Sequence, residues 1–137
     1  MVLDTNIIVD ALSKRDGYEN SLRLIKHCEL KTVYGFVSAS TVTDVVYVLR
    51  KYISPSLVLD TVQTLLLVID VADTTKDDII LAFLSTMRDY EDAVQASCAI
   101  RTNADYIVTR NLKDFEDSPI RAISPKEALA LIELKNR

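Results

Sequence analysis

Met1-Val2-Leu3-Asp4-Thr5-Asn6 sets a carboxylate directly at the end of a short apolar run. Three apolar residues in a row, without alternation, read as a buried strand over Val2 to Asp4. A buried, unpaired carboxylate is costly, so acids in such places pair with a partner or hold a cation. The same juxtaposition recurs along the chain. Asp44 sits inside Ser40-Thr41-Val42-Thr43-Asp44-Val45-Val46, and Asp92 stands near the start of Glu91-Asp92-Ala93-Val94-Gln95-Ala96. Asn111 and Asp114 follow the strand-like Tyr106-Ile107-Val108-Thr109.

Helical and strand-like segments alternate outward from this opening. Asn6 to Leu12 begins a helix, and Tyr18 to Leu30 continues with Leu22, Leu24, Ile25 and Cys28 at helical spacing. Val33 to Val37 is rich in β-formers and reads as a strand. Thr41 to Tyr52 reads as a helix with Val42, Val45, Val46 and Leu49 on one face, and Pro55 opens another helix running to Leu67. Val68 to Val71 is a strand, Lys76 to Thr86 a helix, and Glu91 to Arg101 a helix with small residues for close packing. Tyr106 to Thr109 and Ile120 to Ile123 are strands, and Ser124-Pro125-Lys126-Glu127 caps a last helix. Short apolar strands alternating with helices imply a parallel sheet covered on both faces, in one domain over residues 1–137. In such a fold the site lies at the carboxyl ends of the strands. Asp4 and Asn111 fall there, and Asp44 and Asp92 in the first turns of helices would point back to the same edge.

Composition narrows the chemistry. The chain has 137 residues, 49% of them hydrophobic and 26% charged, which excludes disorder. With 20 acidic and 16 basic residues the net charge is −4, unlike a general nucleic-acid coat protein. A carboxylate cluster itself adds negative charge, so an enzyme acting on nucleic acid stays open. Lys14, Arg15, Arg50, Lys51, Arg88, Arg110 and Lys113 lie near the candidate segments, either as a basic rim or as a solvated face. His27 is the sole histidine, and Cys28 and Cys98 form no CxxC pair, so zinc sites, Ser-His-Asp triads and Cys-His pairs lack support. Oxygen ligands then favour Mg²⁺ or Mn²⁺. The two glycines, Gly17 and Gly35, exclude GxGxxG and GxxxxGK[ST] loops. No apolar run is long enough to span a membrane, and no signal peptide is evident, so a cytoplasmic location with no membrane is expected.

Each acid has a plain structural alternative. Asp4 suits a helix N-cap. Thr41-x-x-Asp44 and Asp89-x-x-Asp92 both read as capping boxes, and Thr74-x-x-Asp77 is taken as one. Capping and metal binding can coexist, since a carboxylate has two oxygens.

As an ordered set these residues resemble the PIN domain. The resemblance rests on Leu3-Asp4-Thr5-Asn6, the helix start from Ser40 to Tyr47, Glu91-Asp92-Ala93 with Ala96 and Ala99, and the segment from Ala104 to Phe115. It implies a three-layer α/β/α fold with a five-stranded parallel sheet. It also implies an Mg²⁺- or Mn²⁺-dependent endoribonuclease, as in bacterial and archaeal VapC-type toxins. By position, Asp4 and Asp92 resemble the principal metal ligands, with Asp44 and Asp114 completing the catalytic and metal-binding set. Thr5, Asn6, Thr109 and Asn111 resemble groups that support the ligands or contact phosphate. Asp44 stands where many members have Glu, and Asn111 where many have Asp. A rival of the haloacid dehalogenase type wants a second Asp two residues after the first, where this chain has Asn6. The other alternative is a catalytically weakened PIN-like module that binds RNA or protein. The expected partners are an RNA substrate, a small antitoxin and a second copy of the chain.

Overall fold

The structure is a computed structural model describing residues 1–136. Among the described residues, β1 (Val2–Leu3), β2 (Phe36–Ser38), β3 (Asp70–Ala72), β4 (Ile107–Val108) and β5 (Ala122–Ile123) form one parallel sheet in the order β3-β2-β1-β4-β5. The opening strand is therefore central. Val2 lies opposite Phe36 on one side and Ile107 on the other, and Leu3 lies opposite Val108. The helices are α1 (Thr5–Ser13), α2 (Tyr18–Glu29), α3 (Ala39–Leu49), α4 (Pro55–Leu65), α5 (Lys76–Phe83), α6 (Tyr90–Arg101) and α7 (Pro125–Lys135).

Successive strand residues point to opposite faces, and here both faces are covered. Leu3, Val37, Val108 and Ile123 pack with Ile7, Leu24, Leu49, Val58 and Ile132, from α1 to α4 and α7. Val2, Phe36 and Ile107 pack on the other face with Ala96, Ala99 and Phe115. Ala96 and Ala99 lack bulk, so α6 lies close to the sheet. Burying a Leu, Ile or Val side chain contributes about 1.5–3 kcal/mol, so both layers hold the strand ends in place. This is the three-layer α/β/α sandwich expected from the sequence.

The boundaries differ where hydrogen bonding overrides side-chain preference. β2 begins at Phe36, because pairing with β1 starts there, and Val33 only leads in. β3 begins at Asp70, because the Val68 and Ile69 amides still bond to the Leu65 carbonyl at the end of α4. α3 starts at Ala39, because Ser38 caps it: the Thr41 amide donates to Ser38 Oγ at 3.3 Å. Thr41 and Asp44 therefore form no capping box. The box expected at Thr74 and Asp77 forms one residue later, where the Asp78 amide donates to Thr75 Oγ1 and the Thr75 amide to Asp78 Oδ2. Ser124 and Glu127 form the expected box on α7. A 3₁₀ turn over Leu112–Phe115, unanticipated from the sequence, plants Phe115 in the core.

Candidate active site

A parallel sheet brings all its strand C-termini to one edge, and the sequence places an acid or amide at several of them. A cleft of about 360 Å³ opens there, and its lining includes Asp4, Thr5, Asn6, Asp44, Asp89, Glu91, Asp92, Asn111 and Asp114. Seven of the eight residues singled out from the sequence thus meet in one place. The eighth, Thr109, is buried just behind it against Asp4.

Asp4 stands at the N-cap position of α1 but makes no capping bond. Its carboxylate instead accepts two side-chain hydrogen bonds. Gln95 Nε2 donates to Oδ1 at 2.9 Å, and Thr109 Oγ1 donates to Oδ2 at 2.8 Å. Thr109 Oγ1 in turn accepts from the Asn111 amide at 3.0 Å. One buried carboxylate thereby ties together β1, α6 and the loop after β4. Burial raises the Asp4 pKa above its ordinary value, against the lowering effect of these bonds.

Asp89 caps α6 by accepting from the Asp92 amide at 3.0 Å, and the reciprocal bond that would close a box is not formed. The Asp92 carboxylate is left facing the cleft. Burial first, and then the charges of Asp4, Asp89, Asp114 and Glu91, push its pKa up to about 8. Asp44 lies in the second turn of α3, not the first, and half-buried. Burial and the Asp4 charge raise its pKa. Asp44, burial, and then Asp89 and Asp4, raise Glu91. These shifts share one electrostatic cause beyond burial: several negative groups face one another across the cleft.

The donor set suits a hard divalent cation, being carboxylate and amide oxygen without thiol or imidazole. Mutual repulsion that a cation would relieve points the same way. So does Gln95 Oε1, a buried oxygen with no hydrogen-bond partner. Among the described residues no three acidic, histidine or cysteine side chains form a finished metal cage.

The basic residues near the site divide. Arg110 Nη1 donates to both oxygens of Asp10, at 2.9 and 2.8 Å, and Arg15 Nε pairs with the same carboxylate at 3.1 Å. Asp10 is buried and joins α1 to the loop bearing Asn111 and Asp114. Lys51 instead lies over the Tyr47 ring. Sequence reasoning missed Gln95, Asp10 and Tyr47. For Gln95 a signal existed, since three residues after Asp92 lies on the same helix face. A more enclosed pocket of about 320 Å³ sits at the opposite end of the strands, lined by Met1, Phe36, Tyr106 and Lys135 among others. Among the described residues Asp105 is its one carboxylate, so the convergent chemistry is in the acidic cleft.

Comparison with known proteins agrees with this architecture. A PIN domain family model matches residues 1–113, stopping one residue short of Asp114. No curated protein sequence matches. The solved structure of VapBC2 from Rickettsia felis, bound to a DNA fragment from its promoter, is similar with a TM-score of 0.69 at 23% identity. That match covers 90% of this chain and 96% of the other. DNA-bound VapBC from Salmonella typhimurium matches with a TM-score of 0.69 at 22% identity, and a toxin–antitoxin complex from Klebsiella pneumoniae with 0.65 at 20%. Both cover 90% of this chain and 96% of theirs.

Proposed function

The chain belongs to the PIN domain family, whose members are generally nucleases, and from that premise we propose that it is a metal-dependent endoribonuclease acting as one domain over residues 1–137. The observation that carries this reading is the convergence of Asp4, Asp44, Asp92 and Asp114 on one cleft, with the Asp92 pKa pushed up to about 8. Perturbed carboxylates clustered in a cleft mark a site built for charge that the protein alone does not supply.

Asp4, Asp92, Asp44 and Asp114 would hold Mg²⁺ or Mn²⁺. When bound, the ion offsets charge on the scissile phosphate and lowers the pKa of the attacking water. The chain's own groups do the rest. Gln95 and Thr109 fix both oxygens of Asp4, so this ligand cannot rotate away. Asp44, one methylene shorter than a glutamate, would orient the attacking water. Thr5, Asn6 and Asn111 offer hydroxyl and amide groups to the phosphate oxygens. In this reading no side chain forms a covalent bond to the substrate, and among the described residues the cleft lining holds no serine, cysteine or histidine.

The similar folds occur in toxin–antitoxin complexes, which supports a toxin role with an antitoxin partner. In the proposed arrangement the chain works in the cytoplasm, a small antitoxin covers the cleft and two copies form a homodimer. Among the described residues no helix is long and apolar enough to cross a membrane. A second reading, a weakened module that binds RNA or protein without cutting, is favoured by one observation: the carboxylates form no finished cage.

Cleavage of a panel of transfer RNAs and single strands with Mn²⁺, Mg²⁺ or EDTA separates the two. Metal-dependent cutting that falls at least about a hundredfold in both Asp4→Asn and Asp92→Asn is the expected result. Cutting equal in the variants would expose a contaminant, and metal-independent binding without cutting would favour the second reading.

A further inference from the structure

An acidic cleft repels a polyanion, so a substrate strand needs a foothold beside it, and the exposed face of α3 offers one. Asp44 and Tyr47 both line the cleft. Lys51 follows four residues after Tyr47, its ammonium 5.5 Å from the centre of the ring. Asp44 and Tyr47 lie one turn apart on α3, and Lys51 stands in the turn just past the helix end at Leu49, so carboxylate, ring and ammonium follow one another along one side of the cleft. The core side of α3 is supplied by Val45 and Leu49, both buried, whereas Tyr47 is 65% exposed. Its ring therefore adds little to the fold. Lys51 makes no ion pair among the described residues, unlike Arg15 and Arg110, which share Asp10. Beside this row, Arg15 lies over the half-exposed Tyr52 ring, 5.0 Å from its centre.

We propose that Tyr47 and Lys51 form a docking site for one unpaired nucleotide of the substrate, its base stacked on the Tyr47 ring and its phosphate against Lys51. The proposal rests on the ribonuclease reading and deepens it by naming single-stranded RNA next to the scissile bond as what the site selects. A base within a duplex has both faces covered by its neighbours and cannot stack on a side chain. An unpaired base can, and such stacking is independent of sequence. The lysine over the ring attracts the phosphate and polarises the stacking surface without being neutralised by a carboxylate.

The test uses the full chain carrying Asp92→Asn, so that RNA is bound but not cut. Fluorescence anisotropy measures affinity for a labelled single strand and for a duplex of the same sequence. Tyr47→Ala is expected to weaken single-strand binding about 5- to 150-fold and leave duplex binding unchanged, while Tyr47→Phe retains affinity. Lys51→Ala is expected to lower the salt dependence of single-strand binding by about 0.7 in the log–log slope. Unchanged single-strand affinity in Tyr47→Ala overturns the proposal, and so does an equal loss for both RNAs. Circular dichroism melting checks that the variants fold. Cleavage by the unsubstituted protein is read separately. If it cuts RNA and Tyr47→Ala binds normally, this proposal alone fails. If it cuts nothing yet binds single strands through Tyr47, the docking site stands and the ribonuclease reading falls.

Discussion

At Asp4 a buried carboxylate meets two donors from distant parts of the chain, and Gln95 is the one whose loss tests the arrangement most directly. Removing a group that orients a metal ligand typically costs 10- to 100-fold in metal affinity or activity. Gln95→Ala is therefore expected to weaken Mn²⁺ binding by about that factor while the chain stays folded, as read by calorimetric titration. Gln95→Glu should do worse, because it sets a second negative charge against Asp4 in a buried place. Unchanged affinity in both variants would reduce Gln95 to packing. Of the residues around the site, the acids were legible in the sequence because a charge inside an apolar segment is conspicuous. Gln95 carried only a faint signal, its place three residues after Asp92, because the carboxylate it serves comes from the other end of the chain. Asp10 escaped notice for a related reason: Arg15 lies five residues on, but Arg110 is a hundred residues away.

The elements themselves were legible in kind and order, since each short apolar strand and each helical spacing survives folding. Their ends were less so. Caps depend on which of several neighbouring hydroxyls reaches the amide, and Ser38 rather than Thr41, or Thr75 rather than Thr74, cannot be told apart by spacing alone. The α5 cap carries its own prediction. Asp78 is buried, which on its own would raise its pKa, but the hydrogen bonds from Arg101 and Thr75 and the Arg101 charge outweigh burial and hold it below the ordinary carboxylate value. A group with a lowered folded pKa stabilises the fold above its unfolded pKa and loses that effect as pH falls through the folded value. Asp78→Asn should destabilise the protein by about 1–3 kcal/mol near neutral pH, through the charge lost opposite Arg101. The gap to the unsubstituted protein should start to narrow as pH falls below the ordinary carboxylate value, near 3.8, and close only below the lowered folded value, where Asp78 itself protonates. Urea melts at pH 7 and pH 3 check this, and a gap of constant size would mean that Asp78 acts by shape rather than charge.

For the whole molecule, the sheet brings together groups that the chain keeps far apart, and the energetic consequence is a cleft of mutually repelling carboxylates, which the proposed ion would relieve. The strongest sign is Asp92, with its pKa at about 8 in the metal-free protein. The sign of the effect follows from linkage. A carboxyl with a raised folded pKa contributes stability that is fully present below its unfolded pKa, near 3.8, and is lost as pH rises through about 8. The protein in EDTA should therefore melt at progressively lower temperature between about pH 4 and pH 8. Asp92 is half-exposed, so solvent screening reduces the effect to roughly 1–3 kcal/mol, or about 3–10 °C for a chain of this size. Asp92→Asn should flatten this slope and raise the metal-free Tm near neutral pH, although it removes a group from the proposed site. Mn²⁺ should reverse the trend in the unsubstituted protein, because an ion that binds only the folded chain and favours ionised carboxylates stabilises more as pH rises. Ion binding at pH 7 should also release close to one proton, visible as a dependence of the calorimetric heat on buffer ionisation enthalpy. A metal-free Tm that does not fall with pH, together with binding heats independent of buffer, would show that Asp92 is already ionised and that repulsion in the cleft is relieved by solvent alone.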